Sequence, residues 1–251
     1  MTKKRVVVVG ASTGLGRCLG IGLAQRGADV ALLARTEAKL VEAAKEAGPG
    51  TLAIRCDVTD EASVRAAIDE AASGLGGIDT VLFAAAIGEL RRIEDLDAET
   101  WHRVFATNVV GASLATAAAL PHLQASGGMI AYLSSLAASL TSPWPGLAAY
   151  TVTKAGLDKL IDAWRAEHPE VGFTRLIVGE CGGGEGDAMS HFAMEWDPDL
   201  AAELFPVWEA RGLITDKLMD VADLLDAVEG LLACGPTAAV PTLAVIPRRT
   251  I

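Results

Sequence analysis

The sequence predicts an α/β fold, a doubly wound sheet of about seven parallel strands with helices on both faces. Two observations predict it. Short β-branched runs alternate with longer segments of helical period along the chain, the pattern of βαβ units feeding a parallel sheet. A glycine-rich turn, Gly10-Ala11-Ser12-Thr13-Gly14-Leu15-Gly16, joins the first such run to the first helical segment, where a backbone without side chains lets an anion approach a helix start.

Taken in order, buried strands are expected at 5–9, 29–34, 51–55, 79–83, 129–133, 171–178 and 242–246. Amphipathic stretches between them predict helices at 15–26, 37–47, 61–74, 98–120, 149–167, 199–211 and 221–233. The last shows the clearest period: Val221, Leu224, Leu225, Val228, Leu231 and Leu232 recur at helical spacing behind Asp220, an N-cap residue. No repeat or low-complexity linker interrupts the alternation, so residues 1–251 read as one domain, with a substrate loop at about 179–212 inside it. The tail from Val240-Pro241-Thr242 to Arg249 reads as a final strand with a proline-bounded end at an interface. Right-handed crossovers place ligand-binding residues just after the strands, at the carboxyl rim of the sheet.

The chain has 251 residues, 51% hydrophobic and 21% charged, with 21 basic and 32 acidic residues giving a formal charge of −11. A chain of this length buries roughly three quarters of its unfolded surface, so it needs neither disulfide nor metal for support. The acidic balance and the absence of a basic cluster exclude nucleic acid and an anionic membrane as expected partners. Cys18, Cys56, Cys181 and Cys234 are far apart and form no CxxC pair, which predicts reduced thiols. His102, His122, His168 and His191 fall into no ligand spacing, so no metal site is expected. After Lys3, Lys4 and Arg5, the apolar run of Val6, Val7, Val8 and Val9 is too short for a leader or a span of ~20 residues. The expected location is cytoplasmic.

The glycine turn has the spacing G-x-x-x-G-x-G, which is neither G-x-G-x-x-G nor a Walker loop, because no Lys-Ser/Thr pair follows Gly16. Its place between the first strand and the first helix predicts a Rossmann-type dinucleotide site. The coenzyme is selected at the end of the second strand, where a carboxylate would receive a ribose hydroxyl and an arginine a 2′-phosphate. The residues there are Ala34-Arg35-Thr36, which predicts NADP(H) in preference to NAD(H). The alternative is that Arg35 is an ordinary solvated charge. Thr13 stands where a second basic residue would help.

Tyr150-Thr-Val-Thr-Lys154 opens a helix, and a spacing of four puts both side chains on one face. A phenol with an unperturbed pKa near 10 is a weak acid or base at neutral pH, and a neighbouring ammonium favours its ionised form. Lys154 is therefore placed to activate Tyr150 for proton exchange with a hydroxyl or carbonyl oxygen. In isolation such a pair is usually structural; behind the glycine turn it is far more specific.

With these motifs the sequence resembles the short-chain dehydrogenase/reductase family over essentially its whole length. The resemblance rests on Gly10-x-x-x-Gly14-x-Gly16, Cys56-Asp57-Val58, Asn108-Val109-Val110-Gly111, Leu133-Ser134-Ser135 and Tyr150-x-x-x-Lys154, in that order. It implies a general acid/base at Tyr150, a ribose-binding and activating cation at Lys154, a substrate-oxygen donor at Ser135, and a helix-kinking, water-holding amide at Asn108. It places the pyrophosphate along Gly10, Ser12, Thr13, Gly14, Leu15 and Gly16, and the adenine beside Asp57 and Val58. Ser135 is preferred over Ser134, which reads as a turn residue or a hydroxyl satisfying the backbone. The interval from Ser135 to Tyr150, with Pro143 and Pro145 in it, looks about two residues longer than the family norm, which predicts a remodelled loop.

Three stretches depart from the family. Its Asn-Asn-Ala-Gly is replaced by Ala84-Ala85-Ala86-Ile87-Gly88, where small Ala84 and Ala85 still allow close coenzyme approach. Val9 replaces the commoner threonine. Its Pro-Gly after the sixth strand is replaced by Gly179-Glu180-Cys181-Gly182-Gly183-Gly184-Glu185-Gly186-Asp187. That run is expected to be a flexible loop that closes over the nicotinamide, with Met189, Phe192, Met194 and Trp196 as an apolar lid. Glu180, Glu185 and Asp187 are read as solvated charges. Trp144 and Trp196 flank the pocket mouth as candidate substrate contacts, and Trp208 reads as core or interface.

The expected activity is NADP(H)-dependent hydride transfer between nicotinamide and an apolar carbonyl or secondary alcohol, with Tyr150 exchanging the proton. The alternative is a catalytically silent dinucleotide-binding sensor or scaffold with the same fold. The resemblance also implies a homodimer or homotetramer.

Overall fold

Strand β1 (Arg5–Val9) carries four valines in succession because both of its faces are covered. In the computed structural model, which describes residues 3–182, 192–194, 196–215, 217–235 and 237–248, Val6 and Val8 enter one apolar cluster and Val7 and Val9 another, on opposite sides of the sheet. The other strands are β2 (Asp29–Ala34), β3 (Leu52–Arg55), β4 (Thr80–Phe83), β5 (Met129–Ser135), β6 (Gly172–Val178) and β7 (Thr242–Val245). Their order is β3-β2-β1-β4-β5-β6-β7, and every neighbouring pair is parallel. The chain winds outward from β1 to β3 and returns at β4, so the switch point lies between β1 and β4.

Helices α1 (Gly14–Gln25), α2 (Glu37–Ala47) and α9 (Val221–Leu232) cover one face, where Leu19, Leu40 and Val228 are buried against Val8 and Leu32. Helices α3 (Glu61–Leu75), α5 (Gly111–Ser126) and α7 (Ala148–Glu167) cover the other, where Ile68, Leu123 and Leu157 meet Val7 and Leu33. Each such fully buried aliphatic side chain contributes about 1.5–3 kcal/mol of transfer free energy. A third cluster lies under α8 (Pro198–Ala210): Leu90, Leu147, Leu204, Trp208 and Leu213. All four cysteines are free thiols.

Two expectations are corrected here, and one element was not expected. Strand β5 extends through Ser135, because Ser134 and Ser135 continue the parallel register against Ile177 and Val178. The helix expected at 98–120 is α4 (Ala98–Phe105), a π-helical turn (Ala106–Val110) and α5, which runs on to Ser126. Residues 98–126 are long and apolar enough by composition to cross a bilayer; burial of Ala112, Ala115, Ala119 and Leu123 against the sheet accounts for that composition. A short helix, α6 (Leu136–Ser139), follows β5 directly, N-capped by Ser135, whose Oγ accepts a hydrogen bond from Ala137 N at 3.2 Å.

Candidate active site

The glycine turn sits at the switch point, where β1 passes to α1. Gly10 has φ +88°, and a Cβ there would lie 2.5 Å from Ala85 N, while one at Gly16 would overlap Gly10 O. Neither position accepts a side chain, and the turn stays flat against the β4 end. Thr13 is the N-cap of α1 but makes no side-chain capping bond, and no acidic residue stands in the first turn. The free N–H groups and the positive end of the helix dipole therefore face the rim unneutralised, which suits a pyrophosphate. Ser12 and Leu15 are half-buried along the turn. Ala84 is tied by its N–H to Val9 O at 2.8 Å, and the small Ala84 and Ala85 side chains leave the approach to Gly10 and Gly16 open.

Arg35 and Thr36, at the β2 end, are exposed, and Arg35 has no ion-pair partner among the described residues. Asp57 follows β3. Its Oδ1 accepts from Thr59 N at 3.0 Å and Thr59 Oγ1 at 2.7 Å, and the backbone hydrogen bond holds its carboxyl below the usual range. Val58 is buried against Gly111.

Asn108 lies within the π-helical turn, fully buried. Its Oδ1 accepts from Ile87 N at 2.8 Å, and its Nδ2 donates to Ile87 O at 2.8 Å and Thr153 Oγ1 at 2.9 Å. The amide thus clamps the loop after β4 to α7, and the kink expected at Asn108 is the π turn itself.

Tyr150, Lys154 and Ser135 meet where β5 ends. The Ser135 hydroxyl lies beside the Tyr150 phenol and favours its ionised form, while burial pushes that phenol up to about 12. Lys154 Nζ donates to Leu133 O at 2.5 Å and lies 5.8 Å from the Tyr150 ring centroid. Burial lowers the ammonium to about 8, partly offset by the charge of Asp158. The Ser135 hydroxyl counters part of the effect of burial on the phenol.

Ser134 corrects its expected role. Its hydroxyl does not serve the backbone; it donates to Asp158 Oδ1 at 2.6 Å. Sequence reasoning missed Asp158 altogether. The only signal for it was an acid four residues beyond Lys154 on the same helix face.

Over Tyr150 lies an aromatic chain: Phe192 at 4.7 Å edge-to-face, then Trp196 on Phe192 at 5.4 Å, and Trp208 on Trp196 at 6.0 Å. Trp144 packs on Trp208 at 5.5 Å, and Trp208 Nε1 donates to Pro145 O at 3.0 Å, which anchors the proline loop. Met194 is corrected: it is 57% exposed and not part of the apolar surface. Glu180 is also corrected, because both carboxylate oxygens are buried with no partner among the described residues. The indole N–H of Trp196 is buried and likewise has no partner among the described residues. Gly183, Gly184, Glu185, Gly186, Asp187, Met189 and His191 of the expected loop, and Arg249 of the tail, lie outside the described residues.

A seven-stranded parallel sheet with a glycine turn at its switch point and a tyrosine–lysine helix beside it defines the class of dinucleotide-fold proteins. The comparisons with known proteins narrow that class. A model of the short chain dehydrogenases matches residues 4–190, and the chain belongs to that family. It is 32% identical over 182 residues to 11-beta-hydroxysteroid dehydrogenase A of Sesamum indicum, covering 70% of this chain and 52% of that protein. It is 35% identical over 158 residues to cis-4-hydroxycyclohexanecarboxylate dehydrogenase of Sinomonas cyclohexanicum, covering 61% of this chain and 63% of that protein. The chain thus spans about half to two thirds of the length of these curated relatives. A solved 3-ketoacyl-(acyl-carrier-protein) reductase from Brucella melitensis, complexed with NADH, superposes with a TM-score of 0.78 at 26% identity, over 96% of each chain.

Proposed function

We propose that this chain is an NADP(H)-dependent oxidoreductase that moves hydride between the nicotinamide and an apolar carbonyl or secondary alcohol, with Tyr150 as general acid/base. The observation that carries the reading is the half-buried Tyr150, its phenol beside the Ser135 hydroxyl and one helical turn from Lys154, on the same rim as an α1 N-terminus with no acidic residue in its first turn. The residues fit the coenzyme: the cradle at Gly10 and Gly16 excludes side chains, and exposed Arg35 suits a 2′-phosphate. When bound, the nicotinamide supplies the hydride chemistry.

The chain supplies position and protons. Ser135 Oγ and Tyr150 Oη converge on one oxygen of the substrate. In reduction Tyr150 gives that oxygen its proton, and in oxidation it takes the proton from the hydroxyl. With its pKa pushed up by burial, the phenol carries its proton at neutral pH and can donate it in the reductive direction. Asn108 keeps α7 against the loop after β4. Phe192 and Trp196 form the apolar wall and exclude water. Location in the cytoplasm and assembly into a homodimer or homotetramer belong to the same proposal, the latter supported by exposed Val110 and Val152.

Replacing Tyr150 with Phe is expected to remove nearly all turnover of a carbonyl panel while leaving the NADPH Kd within about twofold of wild type; turnover retained in Tyr150→Phe refutes the role. A catalytically silent sensor is the second reading, favoured by Phe192 packed on Tyr150 where a substrate would stand. Tight NADPH binding with no turnover across the panel selects it.

A further inference from the structure

Three successive turns of α7 reach the end of β5. Tyr150 meets Ser135, Lys154 meets Leu133 O, and Asp158 meets Ser134. Asp158 is 8% exposed. Its Oδ1 accepts from Ser134 Oγ at 2.6 Å and its Oδ2 from Ser139 Oγ, in α6, at 2.5 Å. Arg175, from β6, places Nε 3.2 Å from Oδ1, off-line for a hydrogen bond but close as a charge, and its Nη2 donates to Asp158 O at 3.1 Å. One carboxylate therefore ties together α7, β5, α6 and β6, and the residues it grips flank Ser135 on both sides.

We propose that Asp158 is a positioning residue of the proton-transfer site, one that keeps Ser135 in register with Tyr150 and keeps the Lys154 ammonium charged. The geometry accounts for both effects. Ser134 and Ser139 bracket Ser135, so anchoring them to α7 fixes the distance between the Ser135 hydroxyl and the phenol on the same helix. Asp158 is four residues beyond Lys154, so its charge faces the ammonium across one turn. Burial opposes that ammonium, and Asp158 is the charged group that counters it. The charged groups around Asp158 are Lys154 on its own helix and Arg175 from β6. Arg175 also pairs with Asp162, which directs part of its charge away from Asp158.

The inference rests on the proposed proton-transfer role of Tyr150 and Lys154, and its test is separable from that role. Lysines labelled with 13C at Cε are titrated by NMR in the coenzyme-free full chain, with the Lys154 signal identified by its loss in Lys154→Met. The wild-type midpoint is expected near 8, and in Asp158→Asn about one pH unit lower, a tenfold weaker hold on the proton. Asp158→Ser, smaller and also uncharged, gives the same reading should the asparagine variant not fold. With cyclohexanol and NADP+, kcat is expected to fall and its rise with pH to move to higher pH, with KM little changed. An unchanged Lys154 midpoint in a folded, uncharged variant overturns the proposal. If the wild type turns over no alcohol, the proposed function fails and the lysine titration still decides the role of Asp158.

Discussion

At the scale of single residues, the site divides into groups that chemistry demands and groups that hold them. Arg35 belongs to the first kind. It is the exposed cation at the β2 end, and a hydrogen bond to a charged partner contributes about 1.5–3 kcal/mol. Arg35→Ala is therefore expected to weaken NADPH ten- to a hundredfold and leave NADH affinity unchanged, as calorimetry with both coenzymes would measure; equal loss for both would remove Arg35 from coenzyme selection. The residues legible in the sequence were those whose chemistry is local. Tyr150 and Lys154 announce themselves by spacing on one helix, and Gly10 and Gly16 by a turn that no side chain fits. Asp158 and Glu180 did not, because their significance comes from strands and helices far away in sequence: Arg175 is 17 positions beyond Asp158, and Ser134 is 24 positions before it. A carboxylate read alone looks like a solvated charge, and only tertiary packing buries it.

At the scale of elements, the periods of 2 and 3.6 located the strands and most helices, since each buries a continuous apolar face. The misses are where hydrogen bonding overrides periodicity. The π-helical turn at Ala106–Val110 exists to bring Asn108 to Ile87 and Thr153, and its neighbours are as apolar as any α-helix. Helix α6 has four residues, too few to display a period, and it forms because Ser135 caps it. The first turn makes a testable element. Gly16→Ala pushes a methyl into Gly10 O, so about 1–3 kcal/mol of overpacking cost is expected, with coenzyme binding lost by more than the stability change explains. Denaturant melts and coenzyme titration check both; normal binding in a folded variant would show that the turn does not hold the pyrophosphate. The aromatic cluster gives a second test. Trp208 is fully buried, and Trp208→Ala is expected to cost about 3–5 kcal/mol in urea unfolding; a cost below 1 kcal/mol would mean that the cluster is not a packed wall.

At the scale of the whole molecule, the sheet order was legible as a class from the alternation of elements, whereas the sides covered by α8 and the aromatic chain were not, since loops with no period set them. The buried lysine leaves a mark on global stability. Lys154 is held near 8 in the folded state against 10.5 in the unfolded chain, so between those values the unfolded chain binds more protons, and stability rises with pH through that window. Relative to Lys154→Met, wild-type stability is therefore expected to gain roughly 3 kcal/mol from pH 8 to pH 10.5. Urea midpoints at several pH values measure this; a flat difference would mean that the lysine is solvated.

The central claim, that this sheet presents NADPH to a carbonyl beside Tyr150, is tested most directly by following deuterium from the C4 position of stereospecifically labelled NADPH into cyclohexanone with mass spectrometry, using wild type and Tyr150→Phe. The account predicts deuterium on the carbinol carbon with one of the two C4-labelled isomers in the wild type and almost none in the variant. Equal transfer by the two proteins, or no transfer to any carbonyl by a wild type that binds NADPH, would contradict it.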